Sequence, residues 1–148
     1  MLTEVPPIIE GMVRTMPRIY RHKDVTVSLD VSPDLVFRGE KRDLDEMLGN
    51  LIDNAFKWTQ SAVSVIAHNS ETDESMMKIV ISDNGPGIDE KDYAQAVKRG
   101  IRLDETTPGT GFGLAIVDDL ARAYKGSMML GEADKGGLQV TLTLPRRV

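Results

Sequence analysis

The sequence predicts an α+β fold, a two-layer sandwich with helices on one face of a mixed, mainly antiparallel sheet. Three observations carry that prediction. Some segments place apolar residues at helical spacing, others alternate apolar and polar residues strictly, and the two kinds are interspersed without the regular βαβ order of a parallel sheet. The chain has 148 residues, 41% of them hydrophobic, which suits one domain with a core of its own.

In chain order, Ile8, Ile9, Met12, Val13, Met16, Ile19 and Tyr20 recur at helical spacing up to about His22, with Pro17 expected to kink or end the helix. Val25, Val27, Leu29 and Val31 alternate with polar residues as in a strand with one buried face, and Ser32-Pro33-Asp34 ends it. A long helix is expected from about Lys41 to Trp58. Strands over Val63 to His68 and Met77 to Ser82 follow, joined by a polar turn at Asn69 to Ser75 as in a loosely connected hairpin. Asp89 to Lys98 reads as a short helix, Gly100 to Gly111 as a turn-rich mobile stretch, and Phe112 to Tyr124 as a helix closed by Gly126. The last strands fall near Ser127 to Gly131 and Leu138 to Leu144. In the latter, Leu138, Val140, Leu142 and Leu144 claim the buried face and leave Thr141 outside.

Composition excludes several classes. A formal net charge of -5 without a dense Lys/Arg run argues against a nucleic-acid surface. The absence of cysteine rules out a disulfide framework and thiolate metal sites, and agrees with a cytoplasmic setting. No leader-like start and no run near the ~20 apolar residues of a membrane helix occurs, so no direct membrane insertion is expected. His22 and His68 lack metal-ligand spacing and read as structural or surface residues.

Chemistry concentrates in three places. On the long helix, Glu46, Asn50, Asn54 and Lys57 fall on one stripe, opposite Met47, Leu48, Leu51, Ala55 and Trp58. Such a stripe can be an ordinary solvated face. Asn is a mediocre helix former there, however, and its side-chain oxygen suits a Mg²⁺ that keeps waters and bridges phosphates. Lys57 could reach a phosphate and Glu46 could take a proton. Asp83-Asn84-Gly85-Pro86-Gly87-Ile88 follows a strand directly, so a carboxylate there can accept a hydrogen bond from an exocyclic amine while glycine backbone passes a flat ring. The same residues also make a common turn. Pro108-Gly109-Thr110-Gly111-Phe112-Gly113-Leu114 precedes a helix whose free N–H groups and dipole can hold phosphates. Its G-x-G-x-G spacing and the lack of a preceding strand disfavour a dinucleotide fold, and no G-x-x-x-x-G-K-[ST] occurs.

Taken in order, the run Glu46 to Thr59, the run Asp83 to Ile88 and the run Gly109 to Leu114 resemble the N, G1 and G2 boxes of the ATP-binding catalytic domains of bacterial two-component sensor histidine kinases, of the GHKL superfamily. The likeness extends over nearly the whole chain, from the helix-to-strand entry at Met16 to Val31 to Gly136-Gly137 and the strand ending at Pro145. Arg99-Gly100-Ile101-Arg102-Leu103-Asp104 resembles the PhoQ-type branch. The resemblance implies the Bergerat fold, with ATP and Mg²⁺ as cofactors. It implies that Asn50 and Asn54 hold the metal, that Lys57 contacts phosphate and that Asp83 recognises the adenine amino group. It further implies that Gly85, Gly87 and Ile88 admit the ring, that Gly109, Thr110, Gly111, Phe112, Gly113 and Leu114 shape a lid over the phosphates, and that Arg99 and Arg102 belong to the same nucleotide site. Glu46 would be the base or water-orienting carboxylate. The implied reaction is transfer of the γ-phosphoryl group to a histidine.

Two departures stand out: Val97 replaces an expected lid phenylalanine, and Trp58 replaces a tyrosine or phenylalanine after the lysine. Nothing resembles a phosphoacceptor box, since His22 is followed by Lys23 and Asp24. The reading is therefore one catalytic domain spanning residues 1–148, whose partners are the phosphoacceptor helical hairpin of the parent kinase and, through the parent, a response regulator. It would form the cytoplasmic portion of a membrane-anchored sensor and would not phosphorylate itself. The alternatives are an anti-sigma-factor-type serine kinase, which shares these boxes, and a non-catalytic nucleotide switch like the ATPase modules of gyrase, MutL or Hsp90.

Overall fold

The computed structural model describes residues 1–99 and 113–148, with only the backbone at Arg99. The expectations for the Arg99 side chain, for Arg102, Gly109, Thr110, Gly111 and Phe112, and for a mobile stretch from Gly100 to Gly111 lie outside the described residues.

The elements run β1 (Thr3–Glu4), α1 (Pro6–Ile19), β2 (Thr26–Val31), β3 (Val36–Phe37), α2 (Lys41–Trp58), β4 (Ala62–Asn69) and β5 (Met76–Asp83). A turn of 3₁₀ helix (Glu90–Asp92) then leads into α3 (Tyr93–Arg99), and α4 (Gly113–Ala123), β6 (Ser127–Glu132) and β7 (Leu138–Pro145) complete the order. Five strands form one sheet in the order β2-β4-β5-β7-β6. Among the described residues only β2 and β4 pair in parallel; the β4–β5, β5–β7 and β6–β7 ladders are antiparallel.

One face of this sheet is apolar because of strand periodicity. Val63, Val65 and Ala67 of β4, Met77, Ile79 and Ile81 of β5, and Leu138, Val140, Leu142 and Leu144 of β7 are buried in a single cluster. Leu44, Met47, Leu48, Leu51, Ile52, Ala55 and Phe56 of α2 enter the same cluster, with Ile9 and Met16 of α1 and Val117 and Ala121 of α4. Each large aliphatic side chain buried this way stabilises the fold by about 2 kcal/mol. The two-layer α+β sandwich and its mainly antiparallel sheet are as the sequence predicts.

Four local details differ from the reading of the sequence. Pro17 does not halt α1 at once; it lies inside the last turn, and the helix stops two residues later at Ile19. The inner side of β2 is only partly covered: Val27 and Val31 pack against the core, whereas Leu29 is 41% exposed on this edge strand. The left-handed residue after α4 is Lys125, at φ 61°, rather than Gly126. Gly126 is needed for space, since a Cβ there would stand 2.0 Å from the Thr143 carbonyl oxygen. A small antiparallel pair, β1 with β3, was invisible in the sequence because two-residue strands carry no period.

Candidate functional site

The polar stripe of α2 is where helical geometry puts it. Met47, Leu48, Leu51 and Ala55 are buried, Asn50, Asn54 and Lys57 are half-buried and Glu46 is exposed. Trp58, expected on the buried side, is only half-buried at the last position of α2. The Asn50 Nδ2 donates to the Glu46 carbonyl at 2.8 Å. That bond fixes the amide and leaves Oδ1 as the outward acceptor. It faces the first residue of α4: a Cβ on Gly113 would come within 3.1 Å of the Asn50 Oδ1. The positive end of the α4 dipole and a hard oxygen ligand are thus side by side. Leu114 lies one residue on, packed against the core cluster.

At the C-terminal end of α2, β5 delivers Asp83 into a buried position with 6% of its surface exposed. Its Oδ1 accepts the Gly85 N–H at 2.8 Å. Gly85 is pressed beneath the last turn of α2, where an added Cβ would lie 2.1 Å from the Trp58 carbonyl oxygen. Gly87 has φ 72° and Gly137 has φ 88°. A Cβ on Gly137 would stand 2.2 Å from the Asp83 carbonyl oxygen, so the β6–β7 turn closes over the strand end only with glycine there. Ile88 packs against the core cluster beside this loop. Asp83, Gly85 and Gly87 are therefore gathered at one place with Gly137, and Asn50 meets Gly113 at another. Asn54 and Lys57 lie on the helix between them.

Burial pushes the Asp83 carboxyl above the usual carboxylate range. The backbone N–H groups of Gly85 and Leu138 and the charge of Lys23 pull it back down. Because the folded pKa is raised, the protonated form is favoured by folding. This contribution to stability is present at low pH and is lost as pH rises through the folded pKa. Ionising Asp83 in the folded chain thus costs stability, which makes it a candidate for a binding role.

Three features of this site were not read from the sequence as functional. The Asn84 Oδ1 accepts from the Thr59 hydroxyl at 2.8 Å and from the backbone N–H groups of Gln60, Ser61 and Ala62 at 3.1, 2.9 and 3.0 Å. Lys23 reaches from the α1–β2 connection to donate to the carbonyls of Phe56 and Thr59, each at 3.1 Å, and of Lys57. The Tyr20 hydroxyl donates to the Asp53 Oδ1 at 2.6 Å, and its ring lies 6.2 Å from that of Phe56. All three bridge residues more than twenty positions apart, for which local spacing offers no signal.

Residues 39–148 match the family described as histidine kinase-, DNA gyrase B- and HSP90-like ATPases. The chain belongs to this family, and it is a catalytic ATPase domain of the sensor histidine kinase type. Among curated relatives, it is 35% identical over 146 residues to the sensor protein PhoQ of Escherichia coli K12. It is 32% identical to the virulence sensor histidine kinase PhoQ of Salmonella typhimurium LT2. Each alignment covers 99% of this chain, but the chain spans only 29% of the length of these relatives. The mycobacterial sensor histidine kinase MprB superimposes with a TM-score of 0.85 at 25% identity, covering 99% of this chain and 97% of that one. The catalytic domain of the histidine kinase ThkA gives a TM-score of 0.85 at 15% identity, with 99% and 95% covered, a likeness of fold alone. No described helix is long and apolar enough to cross a membrane.

Proposed function

We propose that residues 1–148 act as one catalytic unit that binds ATP·Mg²⁺ and transfers the γ-phosphoryl group to a histidine on a separate helical hairpin of a PhoQ-like sensor kinase, on its cytoplasmic side, for passage to a response regulator. One observation carries the proposal: a single helix joins a buried, ionisable carboxylate among glycines at its C-terminal end to an outward amide oxygen beside a helix N-terminus at its middle. From Asn50 to Trp58 the axis of α2 advances about 12 Å, room for a base at one end and a polyphosphate at the other.

In this reading Asp83 accepts a hydrogen bond from the adenine amino group, and Gly85 and Gly87 let the ring lie against the backbone. Asn50 and Asn54 fit a magnesium ion, since the Asn50 Oδ1 is directed away from its own helix by the bond of its Nδ2 to Glu46. Bound there, the ion would neutralise phosphate charge. Lys57 adds positive charge beside the phosphates, and the N–H groups opening α4 complete the cradle. Glu46, exposed one turn before Asn50, orients or deprotonates the attacking imidazole.

The test supplies the phosphoacceptor hairpin of a PhoQ-type kinase as a separate protein with γ-labelled ATP. The hairpin histidine should become labelled slowly, for want of tethering. Glu46→Gln should reduce that labelling about a hundredfold while changing nucleotide affinity little. Acid-labile label on this chain alone, abolished by His22→Ala or His68→Ala, would contradict the proposal.

A further inference from the structure

Lys23 lies on no box of the family and on no stripe of the sequence, yet its ammonium satisfies three backbone carbonyls at once. The acceptors, Phe56, Lys57 and Thr59, are at the C-terminal end of α2, where carbonyls lack intrahelical partners and the helix dipole is negative. A lysine 33 residues upstream of the first of these acceptors is therefore the C-terminal cap of the helix that carries Asn50, Asn54 and Lys57. The segment it caps is the one that covers the nucleotide-site carboxylate: Thr59, Gln60, Ser61 and Ala62 are held by Asn84, and the Trp58 carbonyl rests on Gly85.

We infer that Lys23 is a positioning residue of the nucleotide site, which locks the end of α2 onto the β5 strand end and so sets the spacing between the Asn50–Lys57 stripe and Asp83. It touches neither base nor phosphate in this role. The inference rests on the nucleotide reading of the site. A second consequence follows from charge. Asp83 meets neutral donors from Gly85 on its own loop and from Leu138 on β7, and a positive charge from Lys23 on the α1–β2 connection. Lys23 in turn meets the three carbonyls and feels Asp83, while its burial opposes its charge. Removing the ammonium should raise the pH below which Asp83 becomes protonated and can no longer accept a hydrogen bond from an amine.

ATP·Mg²⁺ binding to the 148-residue chain, followed by calorimetry and by the fluorescence of its single tryptophan, Trp58, tests this across neutral to mildly acidic pH. Lys23→Gln retains donors without the charge and should weaken binding about tenfold at neutral pH and move the acid limb upward. Lys23→Arg should restore most of the affinity and return the limb. Ile9→Val, a core change away from the site, controls for lost stability and should move neither. Wild-type affinity and an unmoved acid limb in Lys23→Gln would overturn the inference, as would identical behaviour of Lys23→Gln and Ile9→Val. A wild-type chain that binds no ATP at all would sink the nucleotide reading itself, a distinguishable failure.

Discussion

At the C-terminal end of α2 the backbone is held from three sides, by Lys23 on its carbonyls, by Asn84 across the turn into β4, and by Gly85 packed under Trp58. Half a helix away, Asn50 and Asn54 stand on an open face, where the bond from Asn50 to the Glu46 carbonyl is the one side-chain hydrogen bond of the pair among the described residues. The first region is built before any ligand arrives. In the proposed function, the second presents donors and acceptors whose partners come with the ligand. Substitutions in the first region should therefore cost stability as well as binding, and substitutions in the second should cost binding alone.

The largest effects belong to the glycines of the prebuilt end. Gly85→Ala forces a Cβ to 2.1 Å from the Trp58 carbonyl oxygen, and Gly137→Ala places one 2.2 Å from the Asp83 carbonyl oxygen at φ 88°. Because the opposing atoms are backbone, each should cost about 3 kcal/mol in urea unfolding and abolish ATP binding. A Gly85→Ala chain of wild-type stability would break the contrast. Asn84→Ala removes an acceptor shared by four donors and leaves some of them unpaired, so a loss of about 2 kcal/mol is expected by the same measurement.

At the open end, Asn54→Ala should leave stability within about 0.5 kcal/mol while lowering Mg²⁺-dependent ATP affinity about tenfold in calorimetric titration. Full Mg²⁺ dependence in that variant would remove Asn54 from the metal site. The smallest effect is the pH response of the wild type. Since burial raises the Asp83 pKa, mild acidification should protonate it before ordinary surface carboxylates, and ATP affinity should fade while Mg²⁺ affinity for phosphate holds. Asp83→Asn should be weak at every pH, because an amide can present a donor where the amine needs an acceptor.

The contrast also explains what could be read without coordinates. The open end was legible: α2 has the predicted limits Lys41–Trp58, and its stripe follows from a spacing of 3.6 residues. The hairpin of β4 and β5 and the outward side of Thr141 on β7 were legible from period-two alternation, as the register confirms. At the prebuilt end the motif Asp83 to Ile88 could be quoted, but not the reason for its parts. Asn84 looked like a turn residue, and only the fold shows its side chain satisfying the turn after α2. Tyr20 was read as an apolar position of the first helix and Lys23 only as the residue after His22, yet they bond Asp53 and Phe56, 33 residues away. Such contacts are set by tertiary packing, to which helix and strand periods are blind. Gly126 was read as closing the helix before it, but close approach to Thr143 and conformational freedom both ask for glycine, and only the fold shows that the first applies at Gly126 while Lys125 is the left-handed residue.

The central claim, that the base lies at the C-terminal end of α2 and the phosphates at its middle, is tested most directly by backbone amide chemical shifts during titration with adenosine and then with ATP·Mg²⁺. Adenosine should shift Gly85, Gly87 and Gly137 and leave Asn50, Asn54 and Gly113 unmoved. ATP·Mg²⁺ should shift both groups, with Gly113 and Asn50 responding only when the metal is present. Adenosine that perturbs the Asn50–Gly113 end first, or ATP·Mg²⁺ that leaves Gly85 and Gly87 untouched, would contradict the account.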